Sequence, residues 1–166
     1  YKGVLYGGFI ATSQGVKLIE YNARFGDPEA MNVLSLLESD FIDICIGIAD
    51  GKLKNIDVNF LRKASVCKYA VPQGYPDKPI KGKEIKVDNI INVDGLFYAS
   101  VNIENDKIIL AGSRAVAIVA VDDSISGAEA IAEKEISCIE GPLFHRKDIG
   151  KSILIQSRID HMRSIR

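Results

Sequence analysis

The sequence predicts an α+β fold built from two successive parts. Over residues 1–52, two apolar runs joined by turn residues give way to helical periodicity. From about residue 65, short apolar runs are separated by turn clusters, as in small antiparallel β domains. The change of pattern places a domain boundary near residues 60–64. The 166-residue chain is 47% hydrophobic with a net charge of −1, so it can bury a core without disulfides or a structural metal.

The first elements are predicted to form a β-hairpin. Residues 4–10 form an apolar run that contains Gly7 and Gly8, and residues 16–22 form a second one. The Ser-Gln-Gly sequence at 13–15 has the composition of a tight turn.

Two short helices are expected to follow the hairpin. Asp27 is a suitable N-cap, Pro28 a suitable first helical residue, and Glu29 complements the helix dipole. Ser39 or Asp40 can cap the second helix. Its apolar stripe is Phe41, Ile44, Cys45 and Ile48, and Gly51 is its predicted stop.

The second part is predicted to contain five strands and one packed helix. Alternation along the first strand suggests that Lys68 lies on a solvent face. Ser126 and Glu129 have capping-box spacing at the start of the helix. The predicted strands are 65–71, 83–87, 96–103, 107–112 and 115–121, with a tight turn over 104–107.

Composition also excludes several classes of protein. The charges are interspersed, which argues against a nucleic-acid partner, and no apolar run reaches the roughly 20 residues of a membrane span. The three cysteines are far apart, which argues against a zinc ribbon and suits a reducing compartment. We therefore expect a cytoplasmic protein. The apolar start at Tyr1 suggests the middle of something longer, and the basic end of the chain suggests a solvated tail.

The stretch "LIEYNARFGDPE", residues 18–29, is the candidate functional site. Strict alternation would place Glu20 and Asn22 on one strand face with Val16 and Leu18. A carboxylate and an amide oxygen are ligands that Mg²⁺ accepts, and Arg24 offers a donor fork to a phosphate. A helix start at residues 27–29 would add free N–H groups. The residues alone slightly favour another interpretation, the solvent face of an edge strand followed by a helix cap.

The longer string resembles a known family. Residues 1–12 and 15–40, which include "GVKLIEYNARFGDPEAMNVLSLLESD", resemble the end of the ATP-grasp domain of the phosphoribosylamine–glycine ligase family. Three later segments resemble the family's C-terminal domain and follow the order that they have there: "ASVCKYAVPQGYP", "GSRAVAIVAV" and "EGPLFHRKDIG". The resemblance implies an ATP-grasp portion at 1–60, a mostly antiparallel β domain with a packed helix at 61–150, and a tail at 151–166.

The resemblance also implies an activity and its ligands. Members of this family join 5-phosphoribosylamine and glycine, using ATP, through a glycyl phosphate. Glu20 and Asn22 match the Mg²⁺ or Mn²⁺ ligands, and Arg24 matches the residue that stabilises the transferring phosphoryl group. Asp27 and Glu29 match positions near the amine or glycine.

Such ligases are much longer, so an amino-terminal portion with its glycine-rich loop is expected as the partner of this chain. The alternatives are another ATP-grasp ligase of the carboxylase type and a non-catalytic interaction module.

Two further segments have open interpretations. Gly112, Ser113 and Arg114 join two predicted strands, and they could form an anion-binding nest at the active site or a simple hairpin turn with an exposed arginine. His145 and Arg146 could contact substrate, but a surface loop is the favoured interpretation.

Overall fold

The computed structural model describes residues 1–165 and divides the chain into two compact units. The first unit comprises residues 1–63 together with the helix that begins at Ser152, and the second comprises Ala64–Lys151. Both units combine helices with antiparallel strands, which confirms the predicted α+β class.

The first unit opens with the predicted hairpin. Strands β1 (Tyr6–Thr12) and β2 (Gly15–Asn22) pair antiparallel as a two-stranded sheet. The Thr12 hydroxyl closes the turn, since it accepts a hydrogen bond from the Gln14 amide and donates one to the Gly15 carbonyl. Nearly every residue of β2 is exposed, including its apolar ones.

Helices α1 (Glu29–Leu34) and α2 (Phe41–Asp50) follow the hairpin. The prediction for α2 is confirmed: the Asp40 carboxylate accepts hydrogen bonds from the amides of Ile42 and Asp43. Gly51 ends this helix at φ 71°, in the left-handed region where glycine meets no steric penalty.

The prediction of Asp27 as the N-cap of α1 is wrong. Pro28 occupies that position and no side chain caps the helix. The Ala30 amide instead donates to the Gly26 carbonyl, and the Met31 amide donates to Pro28. Backbone carbonyls thus occupy the donors that the sequence pattern had assigned to a cap or an anion.

Residues 152–164 of the predicted tail form helix α4 (Ser152–Ser164). The last residue of the predicted tail, Arg166, lies outside the described residues. None of the helices within residues 1–165 has the length and apolar character needed to span a bilayer.

The second unit contains two antiparallel sheets, whose strand orders are β5-β8-β3-β9 and β4-β7-β6. The strands are β3 (Ala64–Pro72), β4 (Glu84–Ile85), β5 (Leu96–Tyr98), β6 (Val101–Glu104), β7 (Lys107–Leu110), β8 (Val116–Asp122) and β9 (Leu143–His145). The predicted strand 96–103 is interrupted, because its two halves belong to different sheets. At the break, Ser100 donates its amide to Arg114 and accepts from Ala111.

Helix α3 (Ile125–Ile136) packs against β3 and β8. The predicted capping box is wrong, because the Ser124 hydroxyl caps the helix by accepting from the Gly127 amide. A cluster of buried apolar side chains forms the core of this unit. Its buried members include Val66, Ala70, Leu110, Val116, Ile118, Ala128 and Ala132.

Candidate functional site

A β-bulge determines which side chains share a face of the hairpin. Leu18 pairs with Phe9 and Glu20 pairs with Gly8, so Ile19 is an extra residue in β2. Phe9 and Gly8 are neighbours on β1 and point to opposite faces. Glu20 therefore lies on the face opposite Leu18, and the expectation that Val16 and Leu18 share its face is wrong.

The bulge separates a polar face from an apolar one. Tyr21 and Phe9 meet edge to face with ring centroids 5.8 Å apart, on the apolar side. On the other side, Tyr6 pairs with Asn22 across the strands. The polar face of the hairpin, defined here as Tyr6, Gly8, Glu20 and Asn22, thus carries the predicted metal ligands.

Glu20 and Asn22 interact directly on this polar face. The Asn22 side-chain amide donates a hydrogen bond to Glu20 Oε1 over 3.1 Å. This contact uses the Asn22 side-chain nitrogen and one oxygen of Glu20, so the Asn22 side-chain oxygen and the second Glu20 oxygen take no part in it. The two residues supply one carboxylate and one amide. Nowhere in residues 1–165 do three or more His, Cys, Asp or Glu side chains gather in a way that could hold a metal.

A hydrogen bond with Tyr6 connects Glu29 to the polar face of the hairpin. The Tyr6 hydroxyl donates to Glu29 Oε1 over 3.1 Å, and both residues are half-buried. That hydrogen bond and the negative charges of Glu29 and Glu20 raise the pKa of Tyr6, because they stabilise the neutral phenol. Tyr6 was missed by the sequence analysis, since a tyrosine in an apolar strand gives no signal of its own.

Arg24 and Asp27 lie beyond the end of β2. Arg24 is exposed, and its guanidinium donates to the neighbouring Phe25 carbonyl over 2.6 Å. Asp27 is exposed. The structure therefore brings Glu20 and Asn22 into contact and connects Glu29 to their face of the hairpin through Tyr6. It leaves Arg24 turned towards the neighbouring backbone.

Arg114 belongs to the second unit. Its guanidinium carbon lies 5.1 Å from the centre of the Tyr69 ring, a cation–π contact. The segment 111–115 connects β7 and β8, which lie in different sheets, so the hairpin-turn interpretation is wrong. An anion-binding nest at this segment would have one amide donor fewer, because the Gly112 amide already donates to the Ser100 carbonyl.

The second unit also contains a buried charge network that the sequence analysis missed. Lys68 is fully buried, and its ammonium lies 2.7 Å from Glu129 Oε1 and 2.5 Å from Glu133 Oε2. Glu129 also pairs with Lys151 over 2.8 Å, and Glu133 contacts the His145 ring over 3.2 Å. The expectation of a solvent-facing Lys68 is wrong because α3 covers that face of β3.

His145 also differs from expectation. It lies on strand β9, where it pairs with Ala70, and its side chain is only 13% exposed. For His145 the favoured interpretation of a surface loop is therefore wrong, and the ring belongs to the charge network. For Arg146 it is confirmed, because this residue lies beyond the strand and is exposed.

The two glutamates of this network are expected to make stability sensitive to acid. Burial opposes their ionisation, but hydrogen bonds from Lys151 and Lys68 lower the pKa of Glu129, and those from Lys68 and His145 lower that of Glu133. A lowered folded-state pKa contributes stability that is present above the ordinary value and is lost as the pH falls through the folded-state value. The thermal midpoint should fall as the pH drops below about 4.5.

Unfolding curves between pH 7 and pH 3 measure this effect. The acid-induced fall in the thermal midpoint should be smaller in Lys68→Met, because its two glutamates lack the stabilising ammonium. The comparison is Lys107→Met, which removes only an exposed ion pair with Glu84 and should keep the larger fall. Equal acid sensitivity in both variants would contradict the assignment.

Comparison with known proteins adds independent information. The family described as "Phosphoribosylglycinamide synthetase, C domain" matches residues 65–152, and its "ATP-grasp (A) domain" matches residues 1–30. The chain is 54% identical to the phosphoribosylamine–glycine ligase of Methanocaldococcus jannaschii and 51% identical to that of Methanosarcina barkeri. Both alignments cover the whole chain and 38% of the relative.

A solved structure agrees with these sequence matches. The phosphoribosylamine–glycine ligase of Thermotoga maritima superimposes with a TM-score of 0.73 at 26% identity, covering 87% of this chain and 36% of that one. The chain therefore spans well under half the length of the relatives it matches.

Proposed function

The chain belongs to the phosphoribosylglycinamide synthetase family, and on that premise we propose that it is the carboxy-terminal portion of an ATP-grasp ligase. The reaction joins 5-phosphoribosylamine to glycine and forms glycinamide ribonucleotide, ADP and phosphate. In the proposed sequence, the glycine carboxylate accepts the γ-phosphoryl group of ATP, and the phosphoribosylamine amine then displaces phosphate from the glycyl phosphate. The observation that carries the proposal is the Glu20–Asn22 pair on the polar face of the hairpin.

Glu20 and Asn22 are the proposed ligands of a divalent cation, either Mg²⁺ or Mn²⁺. A carboxylate beside an amide supplies the oxygen chemistry that these ions accept. When bound, the ion would neutralise charge on the phosphates of ATP. The two side chains are already oriented towards each other by their hydrogen bond, so little ordering is required of them.

The remaining roles concern the transferred group and the amine substrates. Arg24 is exposed and positively charged, so it can turn from the Phe25 carbonyl to a phosphoryl oxygen. Asp27 and Glu29 are proposed to lie near the amine or glycine, where carboxylates favour a cationic group. Arg114 is proposed as a contact for an anionic part of a substrate, and its stacking on Tyr69 would hold the guanidinium in place.

The remainder of the ligase is the proposed partner of this chain. The hairpin exposes large apolar side chains that a soluble protein normally covers: Phe9, Val16, Leu18, Ile19 and Tyr21. Relatives are more than twice as long as the segment matched here, which leaves ample chain to cover this surface and to complete the ATP site. A soluble, cytoplasmic location accords with this role.

A chimeric enzyme tests the proposal. The Methanosarcina barkeri ligase is a suitable host, because its alignment spans 166 residues and all of this chain. Replacing its matching segment with this chain should give an enzyme that releases ADP only when glycine and phosphoribosylamine are both present. The measurement is the initial rate of ADP release with each substrate omitted in turn.

Two results would contradict the proposal. A well-folded chimera that released no ADP would favour a non-catalytic interaction module. ADP release that required bicarbonate in place of glycine would favour a ligase of the carboxylase type. The unmodified host enzyme provides the reference rate, and its thermal midpoint provides the reference for folding.

A further inference from the structure

We propose that Tyr6 is a positioning residue that fixes the Glu29 carboxylate at the polar face of the hairpin for the reaction of this ligase. The inference rests on the proposed function and adds a residue that the sequence analysis did not identify. Tyr6 acts through Glu29 rather than on the reacting atoms, so it is distinct from the proposed catalytic and metal-binding groups.

The strand register places Tyr6 on the correct face. Tyr6 lies opposite Asn22, and Gly8, two residues further along β1, lies opposite Glu20. Because side chains two residues apart share a face, Tyr6 points to the same side as both proposed metal ligands. Alternation along β2 places Tyr21 on the other side, against Phe9.

The hydrogen bond of Tyr6 then connects this face to the start of α1. Its hydroxyl donates to Glu29 Oε1 over 3.1 Å, although the two residues are 23 positions apart in the chain. Glu29 is the first residue of α1, so the contact sets where the carboxylate sits after the chain leaves the strand.

Gly26 provides the space for this arrangement. A Cβ atom at Gly26 would lie 2.5 Å from Glu29 Oε2 and 3.2 Å from Tyr6 Cδ2. Only a residue without a side chain lets the carboxylate and the ring lie this close to the backbone. Tyr6, Gly26 and Glu29 thus form one packed unit, in which the tyrosine supplies the directional contact.

The chemistry of the carboxylate indicates the substrate affected. The amino group of glycine is protonated at neutral pH, and a carboxylate held in a fixed direction recognises such an ammonium group well. A glutamate side chain has several freely rotating bonds, and binding must otherwise restrict them. Tyr6 therefore contributes to glycine binding by ordering Glu29 in advance.

The test uses the active chimera with Tyr6→Phe, which removes the hydroxyl and keeps the ring. The KM for glycine should rise about tenfold, as expected for loss of one hydrogen bond to a charged group, while kcat and the KM for ATP stay within about twofold. Glu29→Gln should raise the same KM. Tyr6→Phe added to Glu29→Gln should then have no further effect, because the two residues act through one contact.

The matched control is Tyr21→Phe, which removes a hydroxyl from the same hairpin on the opposite face and should leave all three constants unchanged. Additive effects of Tyr6→Phe and Glu29→Gln, or a Tyr6→Phe variant with a lower thermal midpoint and unaltered glycine KM, would overturn the inference and leave the proposed function intact. A chimera without any ligase activity would overturn both.

Discussion

Replacing Glu20 with glutamine is expected to lower ADP release by the chimeric ligase by about 10²–10³-fold, the range typical for loss of one preorganised group that stabilises the charge of a transition state. Glutamine keeps the size of the side chain and can still contact Asn22, so the change isolates the negative charge. Divalent cations bind carboxylate oxygens far better than neutral amides, and phosphoryl transfer depends strongly on charge neutralisation.

The diagnostic measurement is the dependence of the rate on metal concentration. Glu20→Gln should require much more Mg²⁺ or Mn²⁺ for half-maximal activity, and Asn22→Ala should shift the same constant in the same direction. Glu38→Gln is the matched control, because it neutralises another exposed glutamate of the first unit. If Glu20→Gln lowered the rate without altering the metal requirement, Glu20 would not be a metal ligand.

Replacing Lys68 with methionine is expected to destabilise the chain by about 3–5 kcal/mol. The substitution nearly conserves volume and stem length, so the loss comes from the charge. Without the ammonium, the Glu129 and Glu133 carboxylates remain beside a buried position that no longer holds a cation. Lys151 and His145 still contact them, but neither replaces a cation placed between the two. For a unit of this size, the thermal midpoint should fall by about 12 °C or more.

Two variants test whether the loss of stability in Lys68→Met comes from its buried charge. Lys107→Met removes an exposed pair with Glu84 and should change the stability by at most about 1 kcal/mol. Glu129→Gln and Glu133→Gln combined with Lys68→Met should recover part of the loss, because the uncompensated charges are removed. A midpoint for Lys68→Met equal to that of Lys107→Met would show that the buried network contributes no net stability.

Local patterns predicted those elements whose signals act within a few residues. The hairpin follows from two apolar runs and a turn, and Asp40 and Gly51 bound α2 because a cap needs only its neighbouring amides and a suitable backbone angle. Where two local signals competed, the pattern failed. Ser124 and Ser126 can both cap α3, and the buried contact of Glu129 with Lys68 removes the partner that a capping box at Ser126 would need.

The candidate site shows the same division. Glu20 and Asn22 could be predicted as neighbours because alternation over two residues is a local property that the bulge at Ile19 does not interrupt. The bulge itself could not be predicted, since it arises from pairing with β1, and it reverses the expected positions of Val16 and Leu18. Tyr6 and Glu29 are distant in sequence, and only strand pairing followed by the turn at Gly26 brings them into contact.

The sequence by itself thus determined the α+β class and the family, and it predicted Glu20 and Asn22 as candidate cation ligands, because these depend on residue types at fixed short spacings. Only the tertiary structure decided that Lys68 is buried and that Tyr6 holds Glu29. The physical reason is that burial and hydrogen bonding depend on which element covers a strand face. A strand lysine becomes part of the core only when α3 brings Glu129 and Glu133 to its ammonium.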